Sequence, residues 1–314
     1  MDSIKANCIL CKSNDLSVES TFDSKLINDI YQESFGRDFS QFFNLESFSF
    51  FKCNDCSHLF FDPRMAGNDK FYEVLQEIRD NYYSPLRPEF LMIKNYITQE
   101  DKVLEVGAGD GDFAKVINCD SYVGLEFNDL AIKNAIAKGV TLKDESVEAH
   151  SLSNKEVYDV IVSNHVHEHV SDLYSFIEAG VKCLRKDGYY IFSVPNNDNH
   201  DTSSINHTLN LPPHHISRFN KKSFESLDIF GLELVSLESV KVSKSRKYRL
   251  GIVNSFLLKK IAKLNNWNQV AIPLKSVHKA TNMINKLPIK LKLVIYKFLI
   301  KDQGLNSVVV YKKL

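Results

Sequence analysis

The middle of the chain alternates short apolar runs with stretches of helical spacing. Each apolar run is followed by a polar or glycine-containing turn, and residues 130–138 have the spacing of a helix that ends at Gly139. Strands that alternate with helices in this way are typical of a parallel α/β sheet. The predicted strands are residues 103–106, 121–126, 140–142, 158–163, 188–195, 232–240 and 306–312. The pattern therefore predicts an α/β domain.

The turn after the first of these strands carries three evenly spaced glycines. Gly107, Gly109 and Gly111 follow a strand that contains Glu105, and residues 112–117 resume helical spacing, which predicts a helix there. Glycine lets the backbone approach a ligand closely and adopt angles that other residues avoid. A dinucleotide-binding fingerprint has its third glycine three positions after the second, which differs from the spacing here. The segment predicts a nucleotide-binding turn of another kind.

Two further strands end on polar residues at the same predicted edge of the sheet. Glu126 ends the second strand, where a carboxylate can bind both hydroxyls of a ribose. Asn164 and His165 follow the fourth strand. Together with the glycine turn, these residues predict a nucleoside-binding site.

These segments carry a resemblance to a known family. The pattern E-x-G-x-G-x-G at residues 105–111 and the stretch Asn164-His165-Val166-His167-Glu168-His169-Val170 resemble class I S-adenosylmethionine-dependent methyltransferases, and the likeness spans roughly residues 100–235. The resemblance implies a Rossmann-like sheet of seven strands whose last strand is antiparallel. It also implies that S-adenosylmethionine is the cofactor.

The resemblance further implies which residues bind this cofactor. The set is Glu105, Gly107, Ala108, Gly109, Gly111, Glu126, Ser146, Val147, Asn164 and His165. Within it, the glycine turn is expected at the methionine portion, Glu126 at the ribose, and Ser146 with Val147 at the adenine. Related enzymes often place a tyrosine ahead of the first strand, where this chain has Tyr82 and Tyr83; the alternative is that both belong to the core.

Two C-x2-C pairs lie near the N-terminus, Cys8 with Cys11 and Cys53 with Cys56, and 41 residues separate the pairs. Four thiolates close a tetrahedral shell around zinc and leave no position for water, which makes such a site structural. The alternative is four reduced surface cysteines. We expect one structural zinc in a ribbon-like module of residues 1–65, followed by a methyltransferase domain of residues 66–314.

Several histidines are candidates for a general base, because the pKa of histidine lies near neutral pH and a sugar hydroxyl is a poor nucleophile. His214 and His215 lie in the segment PPHHISRF, which resembles one found after strand five in sugar-modifying members of the family. We favour these two as the base, with His165 next; the alternative is that they only order the loop. His165 and His169 have the spacing of two metal ligands, but a third ligand is missing from the sequence.

The charge is unevenly distributed, although the formal net charge is zero. Residues 241–301 contain fifteen Lys and Arg and no Asp or Glu, within a predicted helical insertion, residues 241–303, between strands six and seven. In its last predicted helix, residues 289–300, we expect lysines on one face and apolar residues largely away from them. The lysines are Lys290, Lys297 and Lys301, and the apolar residues are Leu291, Ile295, Phe298 and Leu299.

Three interpretations of this basic insertion remain open. Its charge could steer an anionic acceptor into the cleft. It could hold the protein against an anionic membrane surface. The third interpretation is a structural cap whose lysines are solvated. Nucleic-acid binding is disfavoured, because the chain lacks N-P-P-[YF] and its basic stretch offers only five aromatic residues for stacking.

The favoured function is O-methylation of a nucleotide-linked or lipid-linked sugar in surface polysaccharide or natural-product biosynthesis. The alternatives are methylation of a small non-sugar metabolite, methylation of nucleic acid, and a non-catalytic protein that keeps the fold. Residues 1–12 lack a hydrophobic signal segment, and no apolar run is long enough to span a bilayer. We therefore expect a cytoplasmic protein, with peripheral attachment at the inner face of the membrane as one option.

Overall fold

The computed structural model describes residues 6–79, 87–199, 203–240, 245–299 and 304–314. Tyr82, Tyr83 and Lys301 lie outside these ranges. The described residues form two sheets, one of four strands and one of seven.

The smaller sheet is built mainly from the N-terminal part of the chain. β1 (Leu16–Asp23) pairs antiparallel with β2 (Ser47–Cys53), which pairs with β3 (Leu59–Asp62), and α1 (Ser24–Phe35) connects β1 to β2. Most aromatic side chains of this region form one buried cluster, whereas Phe51 and Phe60 pack in the cluster of the larger sheet. The first cluster continues into the C-terminal part of the chain through Leu211, Val270 and Ala271.

Two helices, α2 (Asp69–Ile78) and α3 (Pro88–Lys94), precede the larger sheet. Its five parallel strands and their helices follow in chain order: β4 (Lys102–Val106), β5 (Ser121–Leu125), α4 (Asp129–Ala137), β6 (Leu142–Lys143), α5 (Val147–Ser151), β7 (Tyr158–Asn164), α6 (Leu173–Cys183) and β8 (Leu184–Pro195). Helices cover both faces of a parallel sheet, which explains why the first six residues of β7 are all buried.

The chain then returns to the smaller sheet before it completes the larger one. β9 (Ser217–Arg218) pairs with β3, and α7 (Lys221–Glu225) follows. β3 lies before the predicted domain boundary at residue 65 and β9 lies after it, so this pairing connects the two predicted domains. The division into residues 1–65 and 66–314 stays a prediction. β10 (Leu232–Ser239) then forms one edge of the larger sheet.

The basic insertion folds as three helices, α8 (Arg246–Leu264), α9 (Leu274–Asn285) and α10 (Ile289–Leu299), and β11 (Asn306–Lys313) closes the larger sheet. The strand order is β10-β11-β8-β7-β4-β5-β6, and β11 is antiparallel to both of its neighbours. The predicted Rossmann-like sheet of seven strands with an antiparallel last strand is confirmed. Within the described part of the chain, every helix is too short or too polar to cross a membrane.

The helix predicted over residues 112–117 is wrong. The chain forms only a 3₁₀ turn at Phe113–Lys115, and the side chain of Phe113 is buried. β5 already begins at Ser121, so few residues remain after Gly111, and a short segment does not repay the cost of nucleating an α-helix.

The expected separation of charge and apolar surface on α10 is also wrong in part. Leu291, Val294 and Phe298 are 45%, 51% and 72% exposed, and they share the solvent side with Lys290 and Lys297. The helix instead packs through Ile295, which contacts a cluster around α8. The side of α10 that is buried is therefore set by its packing against α8. Leu291, Val294 and Phe298 form an apolar stripe that stays exposed beside the lysines.

Candidate active site

A cavity of about 780 Å³ opens at the carboxyl ends of the parallel strands. In open α/β sheets this edge is where ligands bind. Two parts of its lining differ in character. The first, which we call the glycine wall, comprises residues 106–109, Glu126, Ser146, Val147 and Asn164; the second, the histidine wall, comprises Tyr72, His169, His214 and His215.

Backbone geometry shapes the centre of the glycine wall. Gly107 has a φ of 74°, and a Cβ atom there would lie 2.3 Å from Cγ2 of Val166. The amides of Gly107 and Ala108 both donate to the carbonyl oxygen of Leu125, at 2.9 and 3.0 Å. The loop is therefore fixed against the tip of β5, and its conformation excludes a side chain at residue 107.

Glu126 is held in place by three backbone amides. Its Oε2 accepts from Gly109 N at 2.8 Å, and its Oε1 accepts from Phe127 N at 2.9 Å and Asn128 N at 3.0 Å. These bonds orient the carboxylate beside the glycine turn. A carboxylate fixed in this position can accept hydrogen bonds from a vicinal diol such as the hydroxyls of a ribose.

Glu105 lies beneath this wall and is only 2% exposed. Its carboxyl accepts a hydrogen bond from the Tyr122 hydroxyl at 2.6 Å, and Nδ2 of Asn164 lies 3.5 Å from its other oxygen. Burial raises the pKa of Glu105 to about 8, because desolvation disfavours the charged form. Near neutral pH this carboxyl is mainly protonated.

Ser146, Val147 and Asn164 also border the cavity, whereas Gly111 does not line it and packs near Val140. Ser146 caps α5 by accepting from Ala149 N at 3.1 Å, and Val147 is the first residue of that helix. Asn164 accepts a hydrogen bond from the Ser193 hydroxyl at 3.0 Å. Apart from Gly111, the geometry brings together the residues that the sequence assigned to the cofactor, and their individual roles stay predictions.

His165 lies between two buried carboxylates. Its Nδ1 is 3.2 Å from Oε1 of Glu168, and its Nε2 is 3.6 Å from Oε1 of Glu89. Burial disfavours the charged forms of His165, Glu168 and Glu89. The hydrogen bonds of His165 with the two carboxylates favour the charged forms and outweigh the effect of burial. The pKa of His165 is raised, that of Glu168 is lowered, and that of Glu89 is lowered to about 2. A histidine that holds its proton in this way is poorly suited to act as a base.

His169, His214 and His215 meet in the histidine wall. The rings of His214 and His215 stack with their centroids 4.4 Å apart, and the ring of His169 lies 4.8 Å from each. Burial lowers the pKa of His169 and lowers the pKa values of His214 and His215 well below the usual value. These imidazoles are neutral near pH 7 and can accept a proton or coordinate a metal.

Sequence reasoning missed several residues of this site. It assigned no role to Tyr72, whose hydroxyl lies 3.2 Å from Nδ1 of His169, or to Glu89 and Glu168. It also treated a third ligand beside His169 as missing, because His214 and His215 are more than forty positions away along the chain. Only the position of the PPHHISRF loop against β7 brings them together.

The four N-terminal cysteines cluster as predicted. Sγ of Cys8 is 3.5 Å from that of Cys56, Sγ of Cys11 is 3.6 Å from that of Cys53, and all four sulfurs lie within 4.8 Å of one another. Thiolates that bind one zinc ion lie about 3.8 Å apart, given Zn–S bonds of about 2.3 Å. The donor set and spacing fit one zinc ion, and its binding stays a proposal.

The fold and the glycine wall define a protein of the class I methyltransferase type. The chain belongs to the methyltransferase-domain family, because a family model described as a methyltransferase domain matches residues 75–237, just over half of the sequence.

Curated relatives and solved structures were also found. The chain is 31% identical over 123 residues to a ubiquinone biosynthesis O-methyltransferase of Yersinia enterocolitica, covering 36% of this chain and 50% of the relative. It is 33% identical over 103 residues to the protein of the same name from Pectobacterium atrosepticum, covering 30% and 43%. The chain thus matches about half the length of these relatives or less. A SAM-dependent methyltransferase structure from Archaeoglobus fulgidus is 15% identical, with a TM-score of 0.49, and covers 77% of this chain and 99% of that one.

Proposed function

We propose that the protein transfers the methyl group of S-adenosylmethionine to an oxygen atom of a small acceptor. The observation that carries the proposal is one cavity with a fixed carboxylate beside a glycine turn on one side and neutral imidazoles on the other. S-adenosylmethionine supplies a methyl group on a sulfonium that is already activated for displacement. The protein must mainly hold the acceptor in line with it.

The glycine wall fits this cofactor. Glu126 would accept hydrogen bonds from the ribose hydroxyls, and the absence of a Cβ atom at Gly107 lets the side chain of Val166 pack against the loop that borders the cofactor. Ser146 and Val147 would border the adenine, and Asn164 would complete the floor of the pocket. The protonated carboxyl of Glu105 adds little negative charge behind the loop.

The histidine wall would handle the acceptor. His214 and His215 are our candidates to accept the proton that leaves the acceptor hydroxyl, because both imidazoles are neutral and line the cavity. His165 is the less suitable third candidate, since Glu89 and Glu168 hold it protonated. Arg79 and Arg87 also line the cavity and would favour an anionic acceptor.

We propose a sugar as the acceptor, nucleotide-linked or lipid-linked, on the resemblance of the PPHHISRF segment to sugar-modifying enzymes. The names of the curated relatives favour a second candidate, a small non-sugar acceptor that is methylated on oxygen. A screen with methyl-labelled S-adenosylmethionine tests both: nucleotide sugars and lipid-linked sugars form one panel, and phenols and catechols the other. Label in the first panel supports the sugar proposal, and label only in the second replaces it with the second candidate.

The screen needs a control that separates a missing acceptor from a missing activity. Calorimetry with S-adenosylhomocysteine should show binding by the wild-type chain and much weaker binding by Glu126→Ala. If wild-type protein fails to bind S-adenosylhomocysteine and labels nothing, the proposed function is wrong.

For α10 we propose contact with an anionic membrane surface, where lipid-linked acceptors reside. Leu291, Val294 and Phe298 are exposed beside Lys290 and Lys297, which is the arrangement of a helix that lies in a membrane interface. This contact would place the protein at the inner face of the membrane. We expect sedimentation with vesicles that contain anionic lipid, and none with neutral vesicles or at high salt.

Charge reversal makes this test specific. Lys290→Glu combined with Lys297→Glu should abolish sedimentation, whereas reversal of Lys133 and Lys222, exposed lysines on other helices, should not. If the α10 double variant instead raises the KM for an anionic acceptor and vesicles never bind, the helix steers the acceptor. If neither property changes, α10 is a structural cap.

A further inference from the structure

The histidine wall has the features of a metal site that is separate from the cysteine cluster. One ring nitrogen from each of His169, His214 and His215 lies within 4.8 Å of one from each of the others. The three side chains come from two distant parts of the chain, the turn after β7 and the loop before β9. Three imidazoles are the protein ligands of a well-known type of catalytic zinc site, which keeps a position open for water or substrate.

The other ring nitrogens are fixed as metal ligands require. Nδ1 of His169 contacts the carbonyl oxygen of His214, Nδ1 of His214 lies 2.7 Å from the carbonyl oxygen of Leu209, and Nδ1 of His215 lies 2.9 Å from Oδ1 of Asn210. A carbonyl oxygen only accepts, so each Nδ1 carries the hydrogen and donates it. The lone pair of each neutral ring is therefore on Nε2, and metal-binding histidines are oriented by this kind of bond.

The amide at His215 is itself oriented. Nδ2 of Asn210 donates to Oδ1 of Asn197 at 2.8 Å, which leaves Oδ1 of Asn210 to face His215 as an acceptor. The tautomer of His215 is thus set by a chain of two side-chain hydrogen bonds.

A buried negative charge lies beside the three histidines. Glu168 is 1% exposed, its Oε1 is 3.9 Å from Nε2 of His169, and its Oε2 has no hydrogen-bond partner among the described residues. Its Oε1 also contacts His165, which in turn contacts Glu89. A buried carboxylate oxygen without a hydrogen bond is costly, and an ion beside it would supply the missing partner.

We propose that His169, His214 and His215 bind one divalent transition-metal ion of the zinc type, with an open coordination position that faces the cavity. Tetrahedral nitrogen ligands at about 2.0–2.1 Å from zinc lie about 3.3 Å apart, so ring nitrogens that now lie within 4.8 Å of one another would approach by at most about 1.5 Å on binding. Rotation of side chains can supply this movement, and Glu168 would then lie beside the ion.

The site would select the acceptor, and this part rests on the proposed function. In this arrangement the lone pairs of His214 and His215 are bound to the ion, so neither ring is the base and the ion takes over that role. An acceptor hydroxyl bound at the open position would lose its proton to solvent more easily, because a divalent ion lowers the pKa of a coordinated oxygen. The oxygen would then form its bond to the methyl carbon while the carbon–sulfur bond breaks and its electron pair stays on sulfur. A vicinal diol or a catechol, which offers two adjacent oxygens, is the class of acceptor that fits best.

Cobalt titration of metal-free full-length protein tests the site independently of activity. Co²⁺ bound by cysteines shows a thiolate-to-metal charge-transfer band, whereas Co²⁺ bound by histidines shows only weak visible bands. We expect the wild type to bind about two ions per chain, one of each kind. His169→Ala and His215→Ala should each weaken the second ion at least about tenfold and leave the thiolate band unchanged.

The matched control is His207→Ala, which removes another, partly buried histidine of the same cavity and keeps all three proposed ligands. It should keep both ions. Unchanged calorimetric binding of S-adenosylhomocysteine shows that each variant is folded; if an alanine variant is not, His169→Gln and His215→Gln replace it. The proposal is overturned if the wild type shows no histidine-type cobalt spectrum. It is also overturned if the wild type and the His169 and His215 variants bind the second Co²⁺ ion with equal affinity. Failure of S-adenosylhomocysteine to bind would overturn the proposed function while leaving the cobalt result valid.

Discussion

The two walls of the cavity are built in different ways. In the glycine wall, Gly107, Gly109 and Glu126 come from adjacent strand ends. The amide of Gly107 donates to the carbonyl oxygen of Leu125, and the amide of Gly109 donates to the carboxylate of Glu126. In the histidine wall, Tyr72 and His169 are 97 positions apart, and His169 and His214 are 45 positions apart. The first wall is a property of neighbouring strands, whereas the second exists only when distant segments pack together.

This difference implies that the two walls can be disturbed separately. Changes in the glycine wall should affect cofactor affinity, because that wall contacts the cofactor in our proposal. Changes in the histidine wall should affect turnover and leave cofactor affinity nearly unchanged. The following experiments test this separation.

The largest expected effect is on turnover in the histidine wall. Substituting His214 and His215 separately with alanine should distinguish their roles. If one imidazole is the base, only that change should lower kcat by about 10²–10⁴-fold, and if both bind the proposed ion, both changes should lower it. Affinity for S-adenosylhomocysteine should stay within about twofold, since neither side chain belongs to the glycine wall. His278→Ala, an exposed histidine on α9, is the control. If both variants keep normal turnover, neither histidine is the base, and His165 becomes the next candidate.

The second largest effect is expected from removing one of the cysteine ligands. Cys53→Ser should remove the proposed zinc and destabilise the N-terminal module by about 2–4 kcal/mol, because a structural zinc site contributes directly to folding. Limited proteolysis should cut this module first and spare residues 100–235. Because β9 of the PPHHISRF region pairs with β3, acceptor turnover should fall while S-adenosylhomocysteine still binds.

Cys119→Ser is the matched control for this experiment, since Cys119 is only partly buried and lies outside the cysteine cluster. Metal analysis of wild-type protein purified without chelator should find zinc. If it finds none, the proposed zinc module is wrong.

Glu126→Ala should have a smaller effect, confined to the glycine wall. We expect S-adenosylhomocysteine to bind more weakly by about 1–3 kcal/mol, because the change removes charge-assisted hydrogen bonds to the ribose and the acceptor of three backbone amides. Glu126→Gln keeps one acceptor oxygen without the charge and should fall between the wild type and alanine. Unchanged calorimetric affinity in the alanine variant would remove Glu126 from the cofactor site.

The smallest expected effect is a pH dependence of stability beneath the glycine wall. The pKa of Glu105 is about 8 in the folded chain against an ordinary value of 4.5, so the folded state binds more protons between these two pH values. Stability contributed by this group is therefore present at low pH and is lost as pH rises toward 8. Glu105→Gln, which mimics the protonated form, should be more stable than the wild type by about 1–2 kcal/mol at pH 8 and above, with the difference vanishing near pH 4.

Melting temperatures measured across this pH range test the prediction. Glu233→Gln, on the edge strand β10, should show no such pH-dependent difference, because that side chain is exposed. Parallel pH profiles for the wild type and Glu105→Gln would show that Glu105 is ionised in the folded protein.

Local sequence patterns predicted the larger sheet and most of the glycine wall. Alternation of apolar runs and helical spacing placed seven strands, and the evenly spaced glycines with Glu126 marked the strand ends that line the cavity. These features could be predicted because strand and turn formation depend on residues a few positions apart. The two C-x2-C pairs predicted the cysteine cluster for the same reason, because each pair lies in one local turn.

Tertiary structure alone decided the histidine wall, the charge state of His165 and the exposed face of α10. Glu89 and Glu168 reach His165 from different elements, and their hydrogen bonds reverse the effect of burial on its pKa. His169 gains two histidine neighbours only because β9 and its loop pack against the N-terminal sheet and the turn after β7. Periodicity and spacing describe the chain within a few residues, whereas these contacts depend on which surfaces of distant segments become buried together.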